Sequence, residues 1–177
     1  MNEKITLPEG IQAAYENNEL VVKGPKGEVR KKLLAPRISI AVDGNSVVLS
    51  SKNATKREKT LMGTFKAHIR NLIKGAQEGY TYKLKICAGH FPMNVSVSGN
   101  EFVVKNFLGE KVPRKVKIRE GAAVKVEGDI VVVESNNKEI AGQMAADIEQ
   151  LTVVKNRDRR IFQDGIFIIE KDSKKIA

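Results

Sequence analysis

The sequence has few of the residues from which common functional sites are built. It contains one cysteine, two histidines and no tryptophan, and aromatic residues make up 5% of its 177 positions. A single cysteine excludes an internal disulfide and a zinc site built from cysteines. So few aromatic rings argue against a protein that reads single-stranded nucleic acid by stacking successive bases on exposed rings.

Motifs that announce catalysis or membrane insertion are also absent from the sequence. It contains no GxSxG, HExxH or GxxxxGK[ST] pattern, and the glycine-rich run at 23–28 is better explained as a hairpin turn. No apolar run approaches the ~20 residues that span a bilayer. The first ten residues lack the basic-then-apolar pattern of a secretory signal. We therefore expect a cytoplasmic protein that is not an enzyme and has no cofactor, metal or small-molecule substrate.

What the sequence has in excess is positive charge. Lysine and arginine number 31 against 21 aspartates and glutamates, which gives a formal net charge of +10. Both halves of the chain share the excess. A strongly basic balance is an argument about partners rather than about the fold. It favours a polyanionic partner, nucleic acid first and an anionic membrane surface or other polyanion as the alternative.

The sequence also contains an internal repeat. NELVVKGPKGE at 18–28 matches NEFVVKNFLGE at 100–110 at seven of eleven positions. Two further blocks, 42–51 with 126–135 and 63–72 with 142–151, follow in the same order. A repeat of roughly 80 residues is too long for a solenoid unit and indicates a duplicated domain. We expect one domain over residues 1–80 and a second over 81–177.

Each copy shows the same order of secondary-structure signals. Alternating apolar residues predict short strands, and the segments 43–45 and 127–129 are hairpin turns. A helix follows over about 55–75 in the first copy and about 138–151 in the second. Thr55 with Glu58, and Asn136 with Glu139, are typical of helix N-terminal caps. The predicted fold class is α+β: two tandem domains, each a small antiparallel sheet with one helix packed across it.

The helices are predicted to bury one face each, and the chain is predicted to end in a hairpin. The buried stripes contain Leu61, Phe65, Ile69, Leu72 and Ile73 in the first helix, and Ala141, Met144, Ile148 and Leu151 in the second. Asp164-Gly165 reads as a turn that pairs Ile161-Phe162 with Ile166–Ile169. The last residues, 171–177, are polar and are expected to be disordered.

The basic residues fall into three groups. One follows Gly109 and includes Lys111, Arg114 and Lys115; another is the run with Lys155, Arg157, Arg159 and Arg160. Guanidinium groups match phosphate oxygens bidentately, and Asp158 could hold one of these arginines in place. The third group lies on the outer face of the first helix: Lys59, Lys66, Arg70 and Lys74. Whether that face binds RNA or is only solvated stays open.

The segment 137–168, NKEIAGQMAADIEQLTVVKNRDRRIFQDGIFI, closely resembles the C-terminal signature of the large ribosomal subunit protein six family, in its archaeal and eukaryotic branch. CAGHFPMNVSVSGN at 87–100 and LPEGIQ at 7–12 are similar to the same family. Because the chain lacks obvious eukaryotic extensions, we expect the archaeal form to be the closer match. The duplicated α+β domain agrees with this resemblance.

The resemblance implies a structural constituent of the large ribosomal subunit, located in the ribosome in the cytoplasm. Its partners would be large-subunit ribosomal RNA and neighbouring ribosomal proteins. The RNA would be bound mainly by the second domain, near the sarcin–ricin loop and the region where translation factors dock. Carried to matching positions, the RNA-binding residues are Lys111, Arg114, Lys115, Lys155, Arg157, Arg159 and Arg160. An enzyme that uses Cys87 and His90 is the remaining alternative, although a buried thiol and a loop imidazole are the better explanation of that pair.

Overall fold

The computed structural model describes residues 1–52 and 54–176 and divides into two compact units. The first comprises Met1–Gly79 with Asn136–Lys138, and the second Tyr80–Ser135 with the residues from Glu139 onward. Each unit has its own cluster of buried apolar side chains. Strands and helices alternate in blocks, and every strand pairing within the described residues is antiparallel, which agrees with the predicted α+β class.

The first unit has two three-stranded sheets and a long helix. Its elements are β1 (Asn2–Thr6), β2 (Gln12–Glu16), β3 (Glu19–Gly24), β4 (Gly27–Lys32), β5 (Ser39–Asp43), β6 (Ser46–Ser50) and α1 (Lys56–Gln77). The sheet orders are β1-β6-β5 and β2-β3-β4. The strands of this unit are thus divided between two sheets. β1 shows little alternation of apolar and polar residues, so it was not recognised from the sequence.

The buried stripe predicted for α1 is confirmed. Phe65, Ile69, Leu72 and Ile73 are buried in the core together with Met62, while Leu61 is partly buried against it. At the start of the helix, the Glu58 carboxylate accepts a hydrogen bond from the Thr55 backbone N–H at 3.0 Å. This contact satisfies one of the donors that a helix start leaves unpaired, as the capping pattern predicts.

The second unit has a three-stranded and a five-stranded sheet. Its elements are β7 (Tyr80–Cys87), β8 (Asn94–Ser98), β9 (Glu101–Lys105), a 3-10 turn (Phe107–Gly109), β10 (Arg114–Lys117), β11 (Ala122–Glu127), β12 (Ile130–Ser135), α2 (Lys138–Leu151), β13 (Gly165–Lys171) and β14 (Lys174–Lys175). The sheet orders are β10-β9-β8 and β11-β12-β7-β13-β14. The helix buries Ala141, Met144 and Ile148 as predicted, whereas Leu151, also predicted, is only partly buried against the core. It begins at Lys138, one residue later than a cap at Asn136 implies.

The prediction of a hairpin at Asp164-Gly165 is wrong. Gly165 and Ile166 pair with Cys87 and Ile86, so β13 forms a ladder with the central strand β7 instead of folding back on the residues before it. Ile161 lies in a turn, and Phe162 lies outside any strand. β7 pairs with β12 on one side and with β13 on the other. The long-range pairing of β13 with β7 forms instead of the local hairpin with residues 161–162. The turn is instead at residues 172–173, both at positive φ. β14 pairs with β13, so part of the segment 171–177, which was expected to be disordered, is a strand.

Gly24 permits a close approach between β3 and the end of α1. A Cβ at this position would lie 2.5 Å from the backbone carbonyl oxygen of Ala76, and the Lys26 backbone N–H donates to the same oxygen at 3.0 Å. Replacing the glycine must therefore move backbone rather than a flexible side chain, and the hydrogen bond moves with it.

We expect Gly24→Ala to lower the free energy of unfolding by about 1–3 kcal/mol, because the added methyl overlaps the Ala76 carbonyl. Chemical denaturation of the full chain measures the change. Gly63→Ala is the matched control, since Gly63 lies within α1 and a Cβ at this position would have no atom within 4 Å. Alanine there should be neutral or stabilise by up to about 1 kcal/mol. Equal effects of the two substitutions would contradict the close contact.

Candidate nucleic-acid interface

The first basic group follows a strained turn. Asn106, Leu108 and Gly109 all adopt positive φ, with values of 60°, 49° and 79°. Leucine rarely adopts this conformation, so the turn persists only because its surroundings hold it. Phe107 is fully buried and Leu108 packs against the core of the second unit. The anchored turn sets the direction in which Glu110 and the residues after it leave the sheet.

Arg114 lies at the start of β10, and every nitrogen of its guanidinium is engaged. Nε and Nη2 donate to the two carboxylate oxygens of Glu110 at 2.8 and 2.6 Å. Nη1 donates to the backbone carbonyls of Leu151 at 2.7 Å and Val153 at 3.3 Å. The guanidinium carbon also lies 4.3 Å from the centre of the Phe107 ring. The Arg114 side chain is 23% exposed. It connects β10 to the turn at 107–110 and to the backbone at 151–153.

The hydrogen bonds of Arg114 connect the basic group after Gly109 with the basic group at 155–160. Leu151 and Val153 lie where α2 ends and the segment 152–164, hereafter the tail, begins. Hydrogen bonds from Arg114 lower the pKa of Glu110 and outweigh the opposing effect of burial, and the positive charge of Arg157 lowers it further. The charge of Arg157 therefore acts close to the Glu110–Arg114 pair, although 43 positions separate Arg114 from Arg157 in the sequence.

Lys111 and Lys115 differ in their surroundings. Lys111 is exposed in the loop before β10 and has no ion-pair partner among the residues that the structure describes. Lys115 follows Arg114 on β10 and so faces the opposite side of the strand, where its Nζ lies 3.3 Å from Glu101. Arg119, further along, is held by Asp147 at 2.6 Å. Of the two lysines in this group that were predicted to bind RNA, Lys111 is the one free to bind an anion.

All four basic residues predicted in the tail are exposed. Arg160 donates to both carboxylate oxygens of Asp158, with an Nη2–Oδ2 distance of 2.7 Å, so the prediction that Asp158 holds one of the arginines is confirmed. Hydrogen bonds from the Arg160 side chain and backbone lower the pKa of Asp158. The guanidinium of Arg157 lies over the Phe162 ring, 4.8 Å from its centre. Lys155 and Arg159 have no ion-pair partner within residues 1–52 and 54–176.

A buried carboxylate fixes the far end of the tail, and sequence reasoning missed it. Asp164 is 3% exposed and accepts hydrogen bonds from the His90 ring at 2.6 Å and from the backbone N–H groups of Gly89 and His90 at 3.1 and 3.0 Å. Burial alone would raise the pKa of Asp164, but these hydrogen bonds lower it. His90 in turn stacks on Phe162 with ring centres 4.7 Å apart. His90 thus has a structural role, and Cys87 does not touch it in any described contact.

A cleft of about 1190 Å³ opens beside the tail. Its walls are the loop at 87–90, the segment 149–154 at the end of α2, and tail residues between 159 and 164 together with Phe167. We call it the tail cleft. It combines apolar side chains, such as the exposed Ile161, with the charged groups of Arg159 and Glu149.

The basic face of α1 is partly neutralised by an ion pair. Lys66 donates to the Glu3 carboxylate at 2.5 Å, and this bond lowers the pKa of Glu3, with a smaller contribution from the charge of Arg70. Lys74 also has a partner within the structure. Two of the four basic residues on this face, Lys66 and Lys74, thus have partners within the protein.

Metal sites and membrane-spanning helices are not found within the described residues. No group of three or more histidine, cysteine, aspartate or glutamate side chains there is placed to hold a metal ion. No described helix combines the length and the apolar character needed to cross a membrane.

Comparison with known proteins gives a consistent result. The family model described as Ribosomal protein L6 matches residues 7–79 and 91–165, so it matches the chain twice, once in each unit. The protein named large ribosomal subunit protein uL6 of Methanococcus vannielii is 45% identical over 174 residues, which cover 98% of this chain and 96% of that protein. The protein of the same name from Methanobrevibacter smithii is 45% identical over 172 residues, 97% of each chain.

We expect Asp164→Asn to lower the free energy of unfolding by about 1–3 kcal/mol at neutral pH, because an amide cannot accept all three hydrogen bonds. The pKa of Asp164 is lowered by folding, so its stabilising effect is complete above the ordinary value of 3.8. That effect is lost as the pH falls through the lower value of the folded protein. The difference between the two proteins should therefore shrink below about pH 4.

Denaturation curves at a series of pH values measure this difference. Asp43→Asn, at the exposed last residue of β5, is the control and should change little. A deficit for Asp164→Asn that stays constant down to about pH 2 would show that the carboxylate charge plays no part.

Proposed function

Because this chain belongs to the ribosomal protein L6 family, we propose that it binds large-subunit ribosomal RNA through one basic surface of its second unit. Members of this family are structural constituents of the large ribosomal subunit and not enzymes. The protein accordingly works in the cytoplasm within the ribosome, with ribosomal RNA and other ribosomal proteins as partners. The proposed surface, called the basic surface below, consists of Lys111, Lys155, Arg157, Arg159 and Arg160, with Lys115 at its margin.

The observation that carries this proposal is the bond between Arg114 and the carbonyls of Leu151 and Val153. It fixes the loop that contains Lys111 against the start of the tail that contains Lys155. Positive charges from two distant parts of the sequence thereby come close to one another. Folded RNA is recognised largely by its shape and by contacts to phosphates and 2′-hydroxyls, so spacing of the charges matters as much as their number.

Within this surface, Arg114 has a different part from the residues around it. Its hydrogen bonds are made to Glu110 and to backbone carbonyls, so we assign it the role of a positioning residue. The free cations, Lys111, Lys155 and Arg159, are the ones that we propose to contact phosphates directly, together with Arg157 and Arg160 at the tip of the tail.

The finer location of the bound RNA is also part of the proposal. We place it near the sarcin–ricin loop and the region where translation factors dock. What supports this placement is the resemblance of residues 137–168 to the family signature and the position of the basic surface in the second unit. Crosslinking from a photoreactive group at position 159 to assembled ribosomal RNA would locate it, and crosslinks confined to distant RNA would overturn the placement.

We expect the triple substitution R157E, R159E and R160E to abolish binding to deproteinised large-subunit ribosomal RNA while the protein stays folded. The reason is that these arginines are exposed, and the one core contact recorded for them among the described residues is that of Arg157 with Phe162. Binding is measured over a salt series, in which each lost phosphate contact reduces the log–log slope by about 0.7–0.9.

The matched control reverses three exposed basic residues of the first unit, Lys52, Lys56 and Arg57, and changes the net charge equally. It should retain most of the affinity. Equal loss in both variants, or equal binding of the wild type to an unrelated structured RNA, would indicate a generic polyanion binder. Co-sedimentation with anionic liposomes tests the membrane alternative in the same preparations.

A separate substitution tests the positioning role of Arg114. Arg114→Lys keeps the charge but loses the bidentate bond to Glu110 and cannot reach both carbonyls. We expect the RNA affinity to fall several-fold with an unchanged salt slope, and amide hydrogen exchange of residues 152–158 to increase. Lys111→Ala should do the reverse, reducing the slope by about one contact and leaving exchange unchanged. If Arg114→Lys binds like wild type, Arg114 is not needed to position the tail.

A further inference from the structure

We propose that the tail cleft holds one unpaired RNA base that carries an exocyclic amino group, with the flanking phosphates bound by Arg157 and Arg159. This inference rests on the RNA-binding function proposed above and adds a base-selective contact to it. Sequence-selective recognition of RNA generally uses bases that have left the helical stack, because the edges of paired bases are hard to reach.

The floor of the cleft is apolar and accessible. Phe167 on β13 is 40% exposed, and its ring lies against Gly165, where a Cβ would be 3.0 Å from the ring Cζ. The absence of a side chain at residue 165 thus lets the ring lie along the strand. Ile161, on the tail, is 63% exposed and lines the same cleft. Two large apolar side chains left in water at one site provide a surface on which the flat face of a base can be buried.

The wall beside this floor is rigid. His90 and Phe162 stack at 4.7 Å, and Asp164 holds His90 through its ring and its backbone N–H. Arg157 lies on the Phe162 ring, which fixes its guanidinium at the edge of the wall. A binding site whose parts are already ordered loses less conformational entropy when it is occupied.

Glu149 supplies the selectivity. One of its carboxylate oxygens accepts a hydrogen bond from the Ile168 backbone N–H at 3.1 Å, which orients the group, and the side chain lines the cleft. The other oxygen has no hydrogen-bond partner within the described part of the chain. A carboxylate only accepts hydrogen bonds and repels phosphate, so it favours the amino groups of adenine, cytosine or guanine. Uracil offers a single ring N–H donor flanked by two carbonyl oxygens, which the carboxylate repels.

The charges at the rim complement the backbone of such a nucleotide. Arg159 lines the cleft and has no ion-pair partner in residues 1–52 and 54–176, and Arg157 lies beside it on the tail. Cations at the rim and an acceptor inside match a nucleotide, which is anionic at its phosphate and a donor at its amino group. A scarcity of aromatic residues argues against stacking a long single strand, but one base needs one such place.

The test uses the full chain and three RNA decamers of abasic nucleotides. One has a single central cytidine, one a single central uridine, and one no base, so their phosphates are identical. We expect equal salt slopes, and about tenfold tighter binding of the cytidine decamer than of the fully abasic one, with uridine in between. A decamer with central 2-aminopurine should lose fluorescence on binding, because the base becomes stacked.

Variants locate the effect in the cleft. Ile161→Ser should remove most of the preference for the cytidine decamer, whereas Val112→Ser should not. Val112 is 77% exposed, follows Lys111 in the loop before β10 and lies outside the cleft. Both residues are at the surface, so neither change should unfold the protein. Glu149→Gln should reduce the difference between cytidine and uridine, since an amide can donate to uracil.

Three results would overturn the proposal. Equal binding of all three decamers by a protein that still binds ribosomal RNA would remove the base contact and leave the proposed function standing. Equal loss in Ile161→Ser and Val112→Ser would place the base elsewhere. If Ile161→Ser impairs assembly only when other ribosomal proteins are present, the cleft holds a protein segment. Failure to bind ribosomal RNA at all would instead overturn the proposed function.

Discussion

The antiparallel pairing of β13 with β7 is the constraint on which the second unit depends. β7 is the first strand of the unit and β13 follows its helix, so the chain must travel from the end of α2 back to the centre of the five-stranded sheet. The tail is the segment that connects α2 to β13. It is a loop held at both ends, by Arg114 where it leaves the helix and by Asp164 where it enters the sheet. A short basic loop between two fixed ends can present its charges at defined positions.

Local patterns in the sequence were sufficient for much of the fold. The turns at Gly44 and Gly128 and the buried faces of both helices depend on residues close together in the chain, and they are confirmed. The pairing of β13 with β7 depends on residues about eighty positions apart. A plausible local turn at Asp164-Gly165 competed with it in the sequence, and no periodicity could decide between them.

The candidate site shows a similar division. Exposed arginines and lysines could be found by counting charges, but counting cannot show which of them are already bonded. Arg114 and Arg160 occur in basic runs like their neighbours, yet one is committed to Glu110 and backbone carbonyls and the other to Asp158. His90 and Asp164 are 74 positions apart, in the two segments 87–100 and 137–168 that resemble the family. The resemblance does not tell which side chains contact each other, so their hydrogen bond could not be predicted from the sequence.

The order of strands along the chain also bears on how the protein is made. The strands described for the first unit, β1 to β6, all lie within residues 1–50, so its sheets can form early in synthesis. β7 is synthesised soon afterwards, but one of its two edges has no partner until Gly165–Lys171 leaves the ribosomal exit tunnel. During that interval, a strand with one apolar face and an open edge is available to other nascent chains. The edge of β7 is therefore most open to such pairing in the interval between the emergence of β12 and that of β13, when a chaperone that covers it protects the protein best.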